Sequence, residues 1–208
     1  MFPTFLFAQF NNNTSSPYSR FGVGDLQSYG FGRSVAMGGA SIASRNHQQI
    51  NLANPASYTA IDSLVFMFEF GIDGKFSNFK NDLGSSTTNN ANFQYMAMKF
   101  QINNRIGASL GLLPYSDIGY KVQVTNDVDN AGAVLTNYYG TGTISNAYLG
   151  FAFEPFNNVS IGANINYLFG KMNKNAEVYF IEKSDFYQMQ KYADFRLRDF
   201  YLDFGAQV

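Results

Sequence analysis

Residues 63–75 read Ser-Leu-Val-Phe-Met-Phe-Glu-Phe-Gly-Ile-Asp-Gly-Lys, and large apolar side chains fall at every second position. Leu64, Phe66, Phe68, Phe70 and Ile72 share one face, while Ser63, Glu69, Gly71, Asp73 and Lys75 share the other. A period of two belongs to an extended strand, because a helix would mix both classes around its circumference. Five later segments repeat the pattern. Residues 93–102 set Met96, Met98, Phe100 and Ile102 against Tyr95, Ala97, Lys99 and Gln101. Residues 106–125 carry Ile106, Ala108, Leu110 and Leu112, then Ile118, Tyr120, Val122 and Val124, on even positions. The even face is therefore expected to survive the interruption at Pro114. In residues 141–154, Ala147, Leu149, Phe151 and Phe153 are expected outward. In residues 159–170, Val159, Ile161, Ala163, Ile165, Tyr167 and Phe169 are expected outward, with Ser160, Gly162, Asn164 and Asn166 inward. Residues 200–208 alternate Phe200, Leu202, Phe204, Ala206 and Val208 with Tyr201, Asp203, Gly205 and Gln207.

Composition decides what solvates the apolar faces. Hydrophobic residues make up 46% of the chain and charged residues 14%, a low share for a water-facing surface. No apolar run reaches the roughly 18 residues of a membrane helix. A membrane protein without such helices must be a closed barrel, since lipid satisfies no backbone N–H or C=O. The competing architecture is a soluble antiparallel sandwich, which also alternates. Segments longer than the usual strand, and second faces rich in Gly, Ser, Ala and Asn, favour the barrel. Net charge is -1, so no nucleic acid is expected as a partner. Cysteine is absent, and His47 is the only histidine and precedes the first strand. No clustered ligands and no Ser–His arrangement emerge, so no catalytic residue, metal or cofactor is expected, and the protein reads as a non-enzyme.

Connections at residues 103–105 and 155–158 are short, whereas those at 81–92, 126–140 and 171–199 are long and polar. Alternation of this kind marks an outer-membrane barrel with tight periplasmic turns and longer outer loops. Residues 1–16 read as the remnant of a signal peptide, ending Phe-Leu-Phe-Ala-Gln, followed by a polar lead-in. Residues 17–62 are Gly-, Ser- and Asn-rich and suit an N-terminal hatch. Residues 63–208 read as the first part of a barrel, because about six strands cannot close one when bacterial barrels need at least about eight. The expected fold class is all-β: a transmembrane antiparallel β-barrel with an N-terminal hatch, present in part.

The sequence Ala36-Met-Gly-Gly-Ala40, followed by Asn54-Pro55-Ala56 and then the first strand, resembles the FadL/TodX family of outer-membrane transport proteins. The resemblance implies a hatch plugging a barrel of about fourteen strands, wide enough to need a filler. It implies passive uptake of hydrophobic small molecules, such as long-chain fatty acids or aromatic hydrocarbons, across the outer membrane. It also implies a lateral opening in the third strand, here placed at Pro114, Tyr115, Ser116 and Asp117. The other reading of Pro114 is a tolerated bulge near the rim. Arg33, Glu69 and Tyr95 become candidate ligand-lining residues, with Arg20 and Arg45 further cations for a carboxylate head group or for acids such as Asp73. Relatives of that family also serve secretion machinery of type IX, so a structural or secretion partner is the alternative role. Membrane lipid, a hydrophobic ligand and a protein partner at residues 171–199, with Tyr179, Phe180, Phe186, Tyr187 and Tyr192, complete the expected contacts.

Overall fold

The computed structural model describes residues 13–28, 30–61, 65–81, 84–128, 132–181 and 188–208. The signal remnant at residues 1–9, Ser63 and Leu64 of the first segment, and Phe186 and Tyr187 lie outside the described residues. The chain is all-β. Six long strands pair antiparallel in chain order: β2 (Phe66–Asn81), β3 (Gly84–Asn103), β4 (Ile106–Val128), β5 (Gly132–Phe156), β6 (Val159–Phe180) and β7 (Met189–Gln207). A two-residue strand, β1 (Asp25–Leu26), pairs with β4 away from that path. The sheet is not closed. Among the described residues, no helix is long and apolar enough to cross a membrane.

The alternating segments fall where their periodicity places them. Phe66 is 69% exposed, Phe68 53%, Leu149 42% and Ile161 50%, so no second layer of the chain covers the apolar face. That excludes the sandwich, whose two sheets would bury these side chains against each other. Ser160, Asn164 and Asn166 are fully buried on the opposite, inner face. At the two short connections the strands turn through Asn104–Arg105 and Asn157–Asn158. Asn158 takes φ 73°, the left-handed conformation that asparagine tolerates better than most residues.

Two expectations need correction. The long connections are mostly strand, for β2 and β3 stay paired out to Asn81 and Gly84, and β6 and β7 out to Val178 and Met189. Residues 84–92 of the β2–β3 arm are only Gly, Ser, Thr, Asn and Ala, so the apolar alternation fades there while the hydrogen-bond ladder continues. The second correction concerns β4. Its register against β5 slips between Pro114 and Ser116, leaving Tyr115 as the extra residue. One inserted residue exchanges the two faces of everything beyond it. Ile118 and Tyr120 therefore turn inward and pack with Ile144 and Met172, instead of continuing the outward face of Ile106 and Leu110.

The N-terminal segment fills the inner side of the wall. Phe31, Ile50, Leu52 and Tyr58 pack against Tyr95, Ala97, Leu113, Tyr148 and Ala152. Within that segment a short helix, α1 (Gly32–Ala36), precedes a 3-10 helix at Pro55–Thr59. Asn51 ties the intervening loop by donating to the carbonyls of Ser41 (2.6 Å) and Ser44 (3.0 Å).

Candidate functional site: the seat of the N-terminal segment and a split in the wall

The expected hatch motif forms one side of a close backbone contact. Asn54 accepts a hydrogen bond from the Ala56 amide at 3.1 Å, which caps the 3-10 helix. Pro55 occupies the first helical turn, where its missing N–H costs nothing. Asn54 Nδ2 also donates to the carbonyls of Ile42 (3.0 Å) and Ala206 (3.3 Å), joining this helix to another part of its own segment and to β7. All five residues from Pro55 to Thr59 are buried.

Opposite them lies a row of small residues in register across four strands: Gly107, Ala152, Gly162 and Gly205. A Cβ on Gly107 would strike the Tyr58 carbonyl, one on Gly205 would strike Asn54 Oδ1, and one on Gly162 would lie 2.6 Å from the Pro55 carbonyl carbon. The absence of side chains is what lets the two backbones meet.

A polar layer lies one step along the strands. Tyr58 donates to Asn164 Oδ1 at 3.0 Å. Burial is the main cause that pushes its phenol well above the usual tyrosine range, so it stays protonated. Asn166 donates to Asp203 at 2.8 Å, and Asn146 donates to Asn166 and to Tyr201, each at 3.0 Å. Lys99 is fully buried and gives its ammonium protons to the carbonyls of Gln49 (2.6 Å), Ala60 (3.1 Å) and Asn46 (3.4 Å). Glu69 accepts from the Ile50 amide at 2.9 Å. Tyr95 accepts from the Gly32 amide at 2.9 Å, and its ring lies 4.5 Å from that of Phe31.

Of the three candidate lining residues, then, Glu69 and Tyr95 hold the N-terminal segment in place, and Arg33 is exposed on α1. Arg45 pairs with Glu154 at 2.8 Å and donates to Ser160 at 2.7 Å. Sequence reasoning put Gly162 and Lys99 on the non-apolar face but assigned them no role. Their meaning depends on register, which the alternation alone does not supply.

Pro114, Tyr115, Ser116 and Asp117 sit where the wall splits. Pairing of β3 with β4 ends at Met96 and Leu112, although β3 continues against β2 and β4 continues against β5. The N-terminal segment enters the gap, where Asp25 and Leu26 pair with Asp117 and Ser116. Asp117 is buried and accepts from Gln27 (2.7 Å), Thr143 (2.7 Å) and Asn13 (2.9 Å). A cavity of about 190 Å3 remains between Leu26–Ser28 on one side and Leu113–Tyr115 with Asn146 on the other.

No curated protein and no solved structure matches the chain. One family does: the model of BamG matches residues 1–208. BamG is distinct from FadL/TodX, so the earlier resemblance is overturned. Uptake of fatty acids or aromatic hydrocarbons, and with it the hydrophobic small-molecule ligand, loses its basis. Of the two motifs, Asn54-Pro55-Ala56 is buried against the sheet, whereas residues 36–40 are exposed. Matched along all of its residues, the chain belongs to BamG, an outer-membrane-associated family.

Proposed function

We propose that this chain forms wall and plug of an outer-membrane barrel that works as a protein partner in the machinery assembling outer-membrane proteins, the BAM complex. Membership of the BamG family carries this reading, since that family points to outer-membrane protein assembly. Residues 17–62 serve as the plug and residues 63–208 as barrel wall. The role is one of architecture and contact rather than catalysis.

Two features support it. First, the exposed apolar residues form a band: Phe66–Ile72 on β2, Met96 and Ile102 on β3, Leu149–Phe153 on β5, Ile161–Phe169 on β6 and Phe200–Phe204 on β7. Tilted strands cross the hydrocarbon in roughly 9–11 residues, so strands of 16 to 25 residues are long enough to carry this band through lipid and to project beyond it. Second, the plug is held by backbone contacts and buried hydrogen bonds, which suits a fixed scaffold. The projecting arms of β5 and β6 carry a tyrosine cluster in which Tyr139 (2.7 Å) and Tyr179 (2.9 Å) both donate to Glu177. This paired arm, with exposed Tyr192 on β7, is the surface assigned to a protein partner.

The test is site-specific photo-crosslinking in intact cells with the full-length protein. A probe at Tyr192 is expected to capture a component of the BAM complex, and a probe at Phe66 to capture lipid. Capture of no BAM component from any arm position would reject the partner role.

A further inference from the structure

Beyond the split, the inner face carries a cavity that the assembly role does not use. Its volume is about 250 Å3, and its walls include Arg20, Tyr120, Tyr138, Lys174, Lys191 and Phe195. Register explains the hollow. One inward row runs Tyr120, Gly140, Lys174, Ala193, and the next runs Val122, Tyr138, Ala176, Lys191. Gly140, Ala176 and Ala193 leave room between the longer side chains, and the Tyr120 ring lies against Gly140.

Three cations meet here from three elements. The 3-10 turn at Pro17–Arg20 delivers Arg20, whose guanidinium lies 3.9 Å from the centre of the Tyr138 ring. Lys174 donates to the carbonyls of Arg20 and Gly22, each at 2.9 Å, which fixes the turn above the cavity. Lys191 is exposed at the rim. Among the described residues, none of the three pairs with a carboxylate, and no protein acceptor takes the guanidinium protons of Arg20. The chain's net charge is -1, so this positive charge is a local feature.

We propose that the cavity binds a phosphorylated sugar. A guanidinium presents a planar fork that matches two phosphate oxygens, and ammonium groups add point charges. Exposed Phe195 offers a flat apolar face to the C–H side of a sugar ring. A volume near the lower end of ordinary ligand pockets suits one monosaccharide rather than a chain. The same chemistry is offered by a free sugar phosphate and by the head group of a phosphorylated glycolipid. The proposal is independent of the assembly role.

The experiment measures binding to the full-length protein, purified in detergent or held in nanodiscs. The probes are glucosamine 1-phosphate, unphosphorylated glucosamine, poly-glutamate, and lipid A compared with dephosphorylated lipid A. Binding of glucosamine 1-phosphate supports the free sugar phosphate as the source. Binding of lipid A alone, lost on dephosphorylation, supports the glycolipid. In either case the combined change Arg20→Gln with Lys191→Gln is expected to weaken binding at least about tenfold, whereas Lys121→Gln on an exposed position leaves it unchanged. Should the double variant fail to fold, Lys191→Gln alone is expected to give about a threefold loss. Equal binding of glucosamine, preference for poly-glutamate, no binding of either phosphorylated probe, or binding indifferent to these substitutions overturns the proposal.

Discussion

Gly162 of β6 lies against Pro55: a Cβ on this glycine would stand 2.6 Å from the Pro55 carbonyl carbon and 2.7 Å from the Ala56 nitrogen. Those atoms are backbone, so they cannot swing aside as a side chain would. Gly162→Val should therefore lift the 3-10 helix off the wall, at a cost of about 1–3 kcal/mol typical of overpacking. Limited proteolysis should then cleave within residues 42–60 faster than in the wild type. Gly74→Val, at a site with open space around it, is the matched control and should leave cleavage unchanged.

Asn54 serves three partners at once: the Ala56 amide and the carbonyls of Ile42 and Ala206. Asn54→Ala should cost about 0.5–2 kcal/mol for the cap alone. Hydrogen exchange should show loss of protection at Ala56 and Ser57 first. Asn54→Asp keeps the cap but removes the amide donor, so it should retain protection at Ala56 while loosening the contact with β7.

Lys99 is the deepest cation in the wall, and three carbonyls of the N-terminal segment depend on it. Lys99→Met preserves length but leaves those carbonyls without a donor, at about 1–3 kcal/mol for each that stays buried. Exchange should accelerate across residues 46–61 more than across β5 and β6. Glu69→Gln retains an acceptor for the Ile50 amide and should change exchange there far less than Glu69→Ala.

Tyr115 is the residue that turns β4 over. Deleting it should restore straight alternation, drive Ile118 and Tyr120 outward and strip the second inner cluster of half its members. The variant should lose the heat-sensitive gel mobility of a folded barrel. Tyr115→Ser keeps the residue count and should keep that mobility.

Much of the wall could be read from residues alone, because Phe68, Leu149 and Ile161 belong to segments with large apolar side chains at every second position. The bulge could not. Ile118 and Tyr120 are apolar on even positions, as are Ile106 and Leu110, so the sequence looks continuous while the chain turns over between them. The strand arms were hidden for a related reason: residues such as Thr87, Thr88, Asn89 and Asn90 carry no apolar contrast, yet the β2–β3 ladder runs through them. Asn54-Pro55-Ala56 lies against the sheet, and its physics is that of a capped turn laid on glycines. Any plugged wall can use it, and this is why it misdirected the family reading. The glycine seat itself became legible only once register aligned Gly107, Ala152, Gly162 and Gly205.

The assembly role is tested most directly by depleting the full-length protein and quantifying every outer-membrane β-barrel by mass spectrometry. The account predicts that many unrelated barrels fall together, while lipoproteins that need no barrel assembly hold their level, and that the wild-type gene restores them. Barrel levels that stay constant after complete depletion would contradict it.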